Sequence, residues 1–162
     1  MKRLSFLVFC IITLCASAEK NVLFIGNSYT YVNDLPSMIN AMASSTNDTI
    51  NVASNTPGAC RFSQHVTNMS MTLIQQGGWD LVVLQEQSQL PSFPMSQVSQ
   101  EVFPFAEALV DSIYANNICP EPMFYMTWGH KKGDADNAVY YPPLSTYEGM
   151  DSLLRERYLY MG

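Results

Sequence analysis

The sequence predicts an α/β protein, a three-layer α/β/α sandwich built on a parallel sheet. Four short apolar runs are continuous rather than alternating, which is typical of strands buried on both faces of a parallel sheet. Stretches in which apolar residues recur at helical spacing separate these runs, so strand and helix alternate along the chain. The 162 residues are 48% hydrophobic and 14% charged, which suits one folded core.

The predicted strands comprise residues 21–25, 49–53, 81–84 and 123–127. The predicted helices comprise residues 35–43, 62–76, 98–115 and 145–161. Asn33 or Asp34 is expected to cap the first helix, which carries Pro36 in its first turn. Gly77-Gly78 is expected to end the second helix.

Two predicted loops follow strands and therefore lie at the edge where parallel strands end. They comprise residues 85–96, rich in Gln, Ser and Pro, and residues 129–143. Open α/β sheets bind ligands at this edge. We expect right-handed crossovers and a single domain over residues 19–162.

Residues 1–18 have the pattern of a secretory signal peptide. Lys2 and Arg3 precede an apolar run over residues 4–14, and small residues lead up to a cleavage site after Ala18. The run is shorter than the ~20 residues that span a bilayer, so we expect a secreted or periplasmic protein without a membrane anchor after cleavage. Cleavage would leave Cys60 and Cys119, which are predicted at opposite edges of the sheet and therefore unpaired.

Charge argues against a nucleic-acid partner. The chain has 14 acidic and 8 basic residues and a formal net charge of -6, with no basic stripe for a phosphate backbone. Glu86 has no second matched carboxylate, so a glycosidase mechanism is unsupported. The segment that begins at Asp134 lacks the glycine and glutamate of a calcium loop, and no Gly-x-Gly-x-x-Gly motif occurs. The sequence therefore predicts no metal and no cofactor.

Ser28 is the candidate nucleophile. It lies in Gly26-Asn27-Ser28-Tyr29-Thr30, directly after the first predicted strand, where the glycine permits a sharp turn. Free amides at the start of the following helix could stabilise an oxyanion on an attacked carbonyl. The alternative interpretation is a plain strand-to-helix turn in which the serine only forms a hydrogen bond.

Two segments extend this interpretation: VLFIGNSYTYVNDLP (residues 22–36) and WDLVVLQEQSQLP (residues 79–91). Together they resemble the SGNH hydrolases, the GDSL-like lipase and esterase superfamily, and especially its exported bacterial branch. The resemblance implies a flavodoxin-like sheet and a serine nucleophile at Ser28. It also implies an oxyanion hole formed by the backbone amides of Ser28 and Gly58; without it, Gly58 would be an ordinary Pro-Gly turn.

The segment after the third predicted strand departs from the family pattern. Many members have Gly-x-Asn-Asp after the third strand, whereas this chain has Gln87-Ser88-Gln89-Leu90. The resemblance aligns Gln89 with the oxyanion asparagine and Gln87 with the glycine. A glutamine amide can also donate a hydrogen bond, so either is a candidate donor, and a solvated polar loop is the alternative.

The general base is the missing part. The family's Asp-x-x-His motif and the fifth strand before it have no counterpart here, so we expect a chain truncated before the last strand and helix. A complete chain that lacks the pair is the alternative. A chain ending here would leave a sheet edge and a helix face uncovered, which predicts marginal stability or self-association.

Only two histidines, His65 and His130, occur after residue 18. His130 follows the fourth predicted strand, with Asp134 and Asp136 near in sequence, and is the candidate substitute base. Weaker candidates for substrate contact are His65, Tyr29 and Trp128.

The expected function is a secreted serine hydrolase that cleaves esters, with a small-molecule or carbohydrate ester as substrate. A carbohydrate O-acetyl or short acyl group fits best. The alternative is a non-catalytic carbohydrate-binding or interaction module on the same scaffold.

Overall fold

The computed structural model describes residues 19–162, so the predicted signal peptide lies outside the described residues. Four parallel strands form one sheet in the order β2-β1-β3-β4. They are Lys20–Ile25 (β1), Ile50–Asn55 (β2), Leu81–Leu84 (β3) and Glu121–Phe124 (β4). The chain runs from β1 to β2 on one side and returns past β1 to β3 on the other. The carboxyl ends of β1 and β3 therefore form a topological switch point, where open α/β sheets bind ligands.

Helices connect the strands and complete a three-layer α/β/α sandwich, which confirms the predicted fold class. They are Ser28–Tyr31 (α1), Leu35–Ser45 (α2), Phe62–His65 (α3), Met69–Gln76 (α4), Met95–Glu101 (α5), Phe103–Asn116 (α6), Ala135–Ala138 (α7) and Tyr147–Met161 (α8). Two 3-10 turns, Leu90–Ser92 and Pro142–Ser145, interrupt the long loops. No helix within residues 19–162 has the length and apolarity that crossing a membrane requires.

Two predicted helices are each divided in the structure. The stretch 62–76 forms α3 and α4, because Asn68 caps a new helix by accepting a hydrogen bond from the Ser70 amide. The stretch 98–115 begins earlier, at Met95, and breaks at Val102 between α5 and α6. Pro104 follows this break in the first turn of α6, the place in a helix where a missing amide hydrogen costs least.

Other bounds differ by a few residues. β4 is Glu121–Phe124 rather than 123–127, because its ladder with β3 begins at Leu81 opposite Glu121. Asp34 caps α2, as one of the two predicted alternatives, and accepts a hydrogen bond from the Ser37 amide at 3.4 Å. Gly77 ends α4 with a φ of 71°, which favours glycine.

The two faces of the sheet are covered unequally. On one face, Leu23 and Ile25 of β1 pack against a core that includes Phe62 and Ile74 and continues into α5 and α6. On the other face, Val22, Phe24 and Val83 pack against Ile39 of α2 and a few partly buried side chains. Beside them lies an apolar groove of about 600 Å³, which extends from α2 to β4.

Candidate active site

Ser28 lies at the switch point, where β1 passes into α1. It is the first residue of α1, and the Asn27 side chain caps this helix by accepting a hydrogen bond from the Tyr29 amide at 3.2 Å. Ser28 is half-buried and lines a cavity of about 260 Å³. The other lining residues are Tyr29, Val32, Asn33 and Trp128.

Gly26 makes the tight turn before Ser28 possible. A β-carbon at this position would lie 2.6 Å from Thr30 Oγ1 and 2.7 Å from Gln85 Oε1. Both distances are shorter than real contacts allow. Glycine is therefore required here for space, and the close approach lets the end of β1 touch the end of β3.

Gln85 holds this turn in place. It is fully buried, and its side-chain oxygen accepts hydrogen bonds from the Asn27 amide at 3.0 Å and from Thr30 Oγ1 at 2.9 Å. Its side-chain nitrogen donates to Asn27 Oδ1 at 3.0 Å. Since Asn27 also caps α1, Gln85 fixes the backbone on which Ser28 stands. Sequence reasoning assigned Gln85 no role, because its partner Asn27 lies 58 positions earlier in the chain.

The loop after β2 is tied to the same turn. Asn27 Nδ2 donates to the Cys60 carbonyl at 2.9 Å, and a β-carbon on Gly58 would lie 3.8 Å from the Tyr31 hydroxyl. Gly58 is exposed. The structure thus brings the predicted oxyanion segment beside α1.

The backbone amides of Ser28 and Gly58 have a property in common. Neither donates a hydrogen bond to any acceptor within residues 19–162. Free amides on adjacent turns are the feature that an oxyanion hole needs.

The two candidate glutamines differ in their bonding. Gln87 Oε1 accepts hydrogen bonds from the Gln89 amide at 3.0 Å and the Leu90 amide at 2.9 Å, so Gln87 caps the 3-10 turn. The Gln89 side chain forms no hydrogen bond with any described residue, and both glutamines are half-buried. Gln89 therefore keeps its whole amide group for a ligand, whereas Gln87 already uses its oxygen.

His65 has a structural role in this conformation. The ring is fully buried, with Nε2 3.0 Å from the Gly26 carbonyl oxygen and Nδ1 2.8 Å from Ser70 Oγ. Because a carbonyl only accepts, Nε2 carries the hydrogen and Nδ1 accepts from the serine hydroxyl. Burial lowers the pKa of His65, which favours this neutral form. A ring without exposed atoms offers nothing to a substrate, so the structure replaces the predicted contact with a brace on Gly26.

His130 lies on the loop after β4 and is half-buried. Its imidazole forms no hydrogen bond with the described residues. The Asp134 carboxylate accepts from the Asn137 amide at 3.2 Å and from Asn137 Nδ2 at 2.7 Å, which caps α7. Asp136 is exposed in the first turn of α7. Neither carboxylate therefore orients His130, because Asp134 is engaged elsewhere and Asp136 faces solvent.

Two aromatic side chains stand at the mouth of the cavity. The rings of Tyr29 and Trp128 lie 4.7 Å apart between centroids, with a tilt of 42°. Trp128 is 47% exposed, so its ring is open to a ligand. The two thiols, Cys60 and Cys119, are unpaired.

Glu86 is a buried acid that sequence reasoning did not connect with the site. Its carboxylate accepts hydrogen bonds from the Phe62 and Gln87 amides. Burial raises the pKa of Glu86 to about 7, against the opposing effect of these hydrogen bonds. In the sequence, its position two residues after a buried strand does not distinguish it from the other polar residues of this loop.

Among known proteins, no family model and no curated protein matches this chain. A solved structure of a DUF4886 family protein from Bacteroides uniformis is similar, with a TM-score of 0.67 and 14% sequence identity. The similarity covers 89% of this chain and 63% of that protein, so this chain spans less than two thirds of the length of its neighbour. At this identity the likeness shows a shared fold, and membership of the SGNH hydrolases stays a prediction.

Proposed function

We propose that this protein is a secreted serine hydrolase that cleaves an ester bond with Ser28 as its nucleophile. The observation that carries the proposal is the pair of unengaged amides on Ser28 and Gly58. They lie on two turns that the hydrogen bond from Asn27 to Cys60 ties together. Both turns follow the carboxyl ends of neighbouring parallel strands, the edge at which open α/β sheets bind ligands.

The reaction would proceed through a covalent intermediate. Ser28 Oγ loses its proton to a base and bonds to the carbonyl carbon, while the Ser28 and Gly58 amides stabilise the oxygen that becomes negative. Gln89 or Gln87 supplies a further donor. The alcohol leaves as the C–O bond breaks and takes up the proton, and water then releases the acyl group as an acid.

The proposed reaction needs a general base that removes the proton from Ser28 Oγ. Of the two described imidazoles, His65 has both nitrogens engaged and His130 has both free, so within residues 19–162 His130 is the candidate.

The cavity at Ser28 favours a small acyl group. A volume of about 260 Å³ suits an acetyl or short acyl chain rather than a long lipid tail. The exposed face of Trp128 beside Tyr29 offers a flat surface on which a sugar ring could stack. A carbohydrate O-acetyl ester combines both features.

Labelling with a serine-reactive fluorophosphonate tests the proposal. An activated Ser28 should form one adduct, seen as one added mass on the intact protein, and Ser28→Ala should form none. Ser44→Ala, which removes an exposed serine on α2, is the matched control and should label like the unchanged protein. An unlabelled folded protein, or equal labelling of Ser28→Ala, would overturn the proposal.

The second candidate is a carbohydrate-binding module without catalysis. It is favoured by the observation that no described imidazole or carboxylate forms a hydrogen bond with Ser28 Oγ. The discriminating result would be quenching of Trp128 fluorescence by an acetylated oligosaccharide that stays uncleaved, with Trp128→Phe as the control for the signal from Trp79.

A further inference from the structure

The Glu86 carboxylate joins the loop after β2 to the loop after β3. Phe62, the first residue of α3, donates its amide hydrogen to the carboxylate and lies 3.1 Å from each oxygen. The amide of the next residue, Gln87, also donates to Oε1. Glu86 is fully buried, so water does not compete for these hydrogen bonds.

Each of these loops carries a proposed oxyanion donor. Gly58 precedes Phe62 by four residues, and Gln89 follows Gln87 by two. A carboxylate that binds both Phe62 and Gln87 therefore sets how far apart the two donors stand.

A third loop is tied to the same position. The Glu86 amide donates to the Tyr158 hydroxyl oxygen at 3.3 Å, and Tyr158 is buried on α8. Thr127, in the loop after β4, donates through Oγ1 to the Ser88 carbonyl at 2.9 Å. The loops that follow β2, β3 and β4 thus converge around Glu86.

We propose that Glu86 is a positioning residue of the oxyanion hole: its buried carboxylate holds the Gly58 loop and the Gln87 to Gln89 loop at the spacing that an oxyanion requires. Glu86 does not touch the substrate in this arrangement. The inference rests on the proposed function, because it assigns Glu86 a part in that same site.

A carboxylate suits this position better than an amide. Oε1 accepts from both the Phe62 and the Gln87 amide, and Oε2 accepts from the Phe62 amide as well. A glutamine at position 86 would present one accepting oxygen and one NH2 group, and the NH2 group would face a backbone N–H. Glu86→Gln should therefore weaken the hold on Phe62, whose amide hydrogen now faces both oxygens, while changing the volume of the side chain very little.

The test compares Glu86→Gln and Glu86→Asp with the unchanged protein. Glu107→Gln, a substitution of an exposed glutamate on α6, is the matched control. The first measurement is hydrogen exchange in peptides that cover residues 57–64 and 85–92. We expect faster exchange in one or both peptides for Glu86→Gln, a smaller change for Glu86→Asp and none for Glu107→Gln.

The second measurement is the kinetics of fluorophosphonate inactivation, which separates the limiting rate from the half-saturating concentration. Misplaced donors should lower the limiting rate for Glu86→Gln by about tenfold to a hundredfold, with the half-saturating concentration unchanged. Glu86→Asp should recover part of the rate, and it provides a folded variant if Glu86→Gln does not fold.

Three outcomes would contradict the inference. Unchanged exchange in both peptides would show that Glu86 does not hold the loops. Faster exchange with an unchanged limiting rate would show that the loops need not be held for reactivity, and a change confined to the half-saturating concentration would indicate substrate contact. An unlabelled wild-type protein would instead overturn the proposed function, and exchange would still decide whether Glu86 couples the loops.

Discussion

Two glutamines in the loop after β3 should respond differently to truncation. The Gln89 side-chain amide is unengaged, so Gln89→Ala should remove only the proposed oxyanion donor, a loss that typically costs ~3 kcal/mol of barrier and about a hundredfold in rate. Gln87 caps the 3-10 turn with two hydrogen bonds, so Gln87→Ala should also lower the free energy of unfolding by about 1 kcal/mol. Ester hydrolysis rates and urea unfolding of both variants measure these effects.

Comparing the turnover of Gln89→Ala and Gln87→Ala decides which glutamine is the donor. A Gln89→Ala protein with normal turnover and a slow Gln87→Ala protein would move the donor role to Gln87. Normal turnover in both would remove the loop from the oxyanion hole. Gln97→Ala, in α5, serves as the control for a glutamine substitution outside this loop.

Single residues could be assigned from the sequence only where the signal was local. Ser28 stands directly after a buried strand, and Gly58 follows the next strand, so topology alone predicts that they meet. Gln85 and Glu86 could not be separated from the other polar residues of their loop, because their partners lie far away in the chain. Gln85 bonds to Asn27, 58 positions earlier, and His65 bonds to Gly26, 39 positions earlier.

At the scale of elements, the junction between β1 and α1 depends on Gly26. Gly26→Ala would place a methyl group against Thr30 Oγ1 and Gln85 Oε1, which already bond to each other at 2.9 Å. We expect the free energy of unfolding to fall by about 1 to 3 kcal/mol, and the labelling of Ser28 to slow because the turn moves. Urea unfolding and fluorophosphonate kinetics check both effects.

Gly58→Ala is the matched control for that substitution. A β-carbon at Gly58 would meet only the Tyr31 hydroxyl at 3.8 Å, an ordinary contact, and the backbone amide would remain. Its unfolding free energy should stay within about 0.5 kcal/mol of the unchanged protein. A Gly26→Ala protein as stable as Gly58→Ala would refute the claim that space at this junction requires glycine.

In two stretches, the spacing of apolar residues predicts helical structure but not the number of helices. Apolar spacing runs through residues 62–76 and 98–115, and it cannot distinguish one helix from two helices that both pack on the same core. The breaks come from local chemistry instead: the Asn68 side chain caps α4, and Pro104 begins α6. Neither Asn68 nor Pro104 predicts a break by itself, because each residue type is also tolerated near the end of a longer helix.

For the whole molecule, the strand order follows from elementary rules, whereas the unequal covering of the sheet does not. Continuous apolar strands predict helices on both faces. In residues 19–162, one face carries a groove of about 600 Å³ beside α2, and β4 pairs only with β3. Glu121 and Tyr125 donate their amides toward β3, so Pro122, which has no amide hydrogen, lies on the open side of β4. This proline weakens pairing at that edge.

Glu86 should also make the stability of the whole fold depend on pH. Burial raises its pKa from an ordinary value of 4.5 to about 7, so between these values the folded state binds the proton more strongly than the unfolded state. The contribution of Glu86 to stability is therefore present below pH 4.5 and is lost as the pH rises to about 7, by up to about 3 kcal/mol. Nearby charges modify this: Arg61 favours the ionised carboxylate, and Glu101 disfavours it.

His65 changes the free energy of unfolding with pH in the opposite direction, so the measurement must separate the effect of Glu86 from that of His65. Burial lowers the pKa of His65 below 6.5, which makes the fold lose stability as the pH falls through that range. Urea unfolding from pH 4.5 to 8 should be recorded for the unchanged protein and for Glu86→Gln, and the two free energies subtracted at each pH. Because His65 is common to both, the difference should change by up to about 3 kcal/mol in favour of Glu86→Gln as the pH rises. A difference independent of pH would mean that Glu86 ionises in the fold as it does in water.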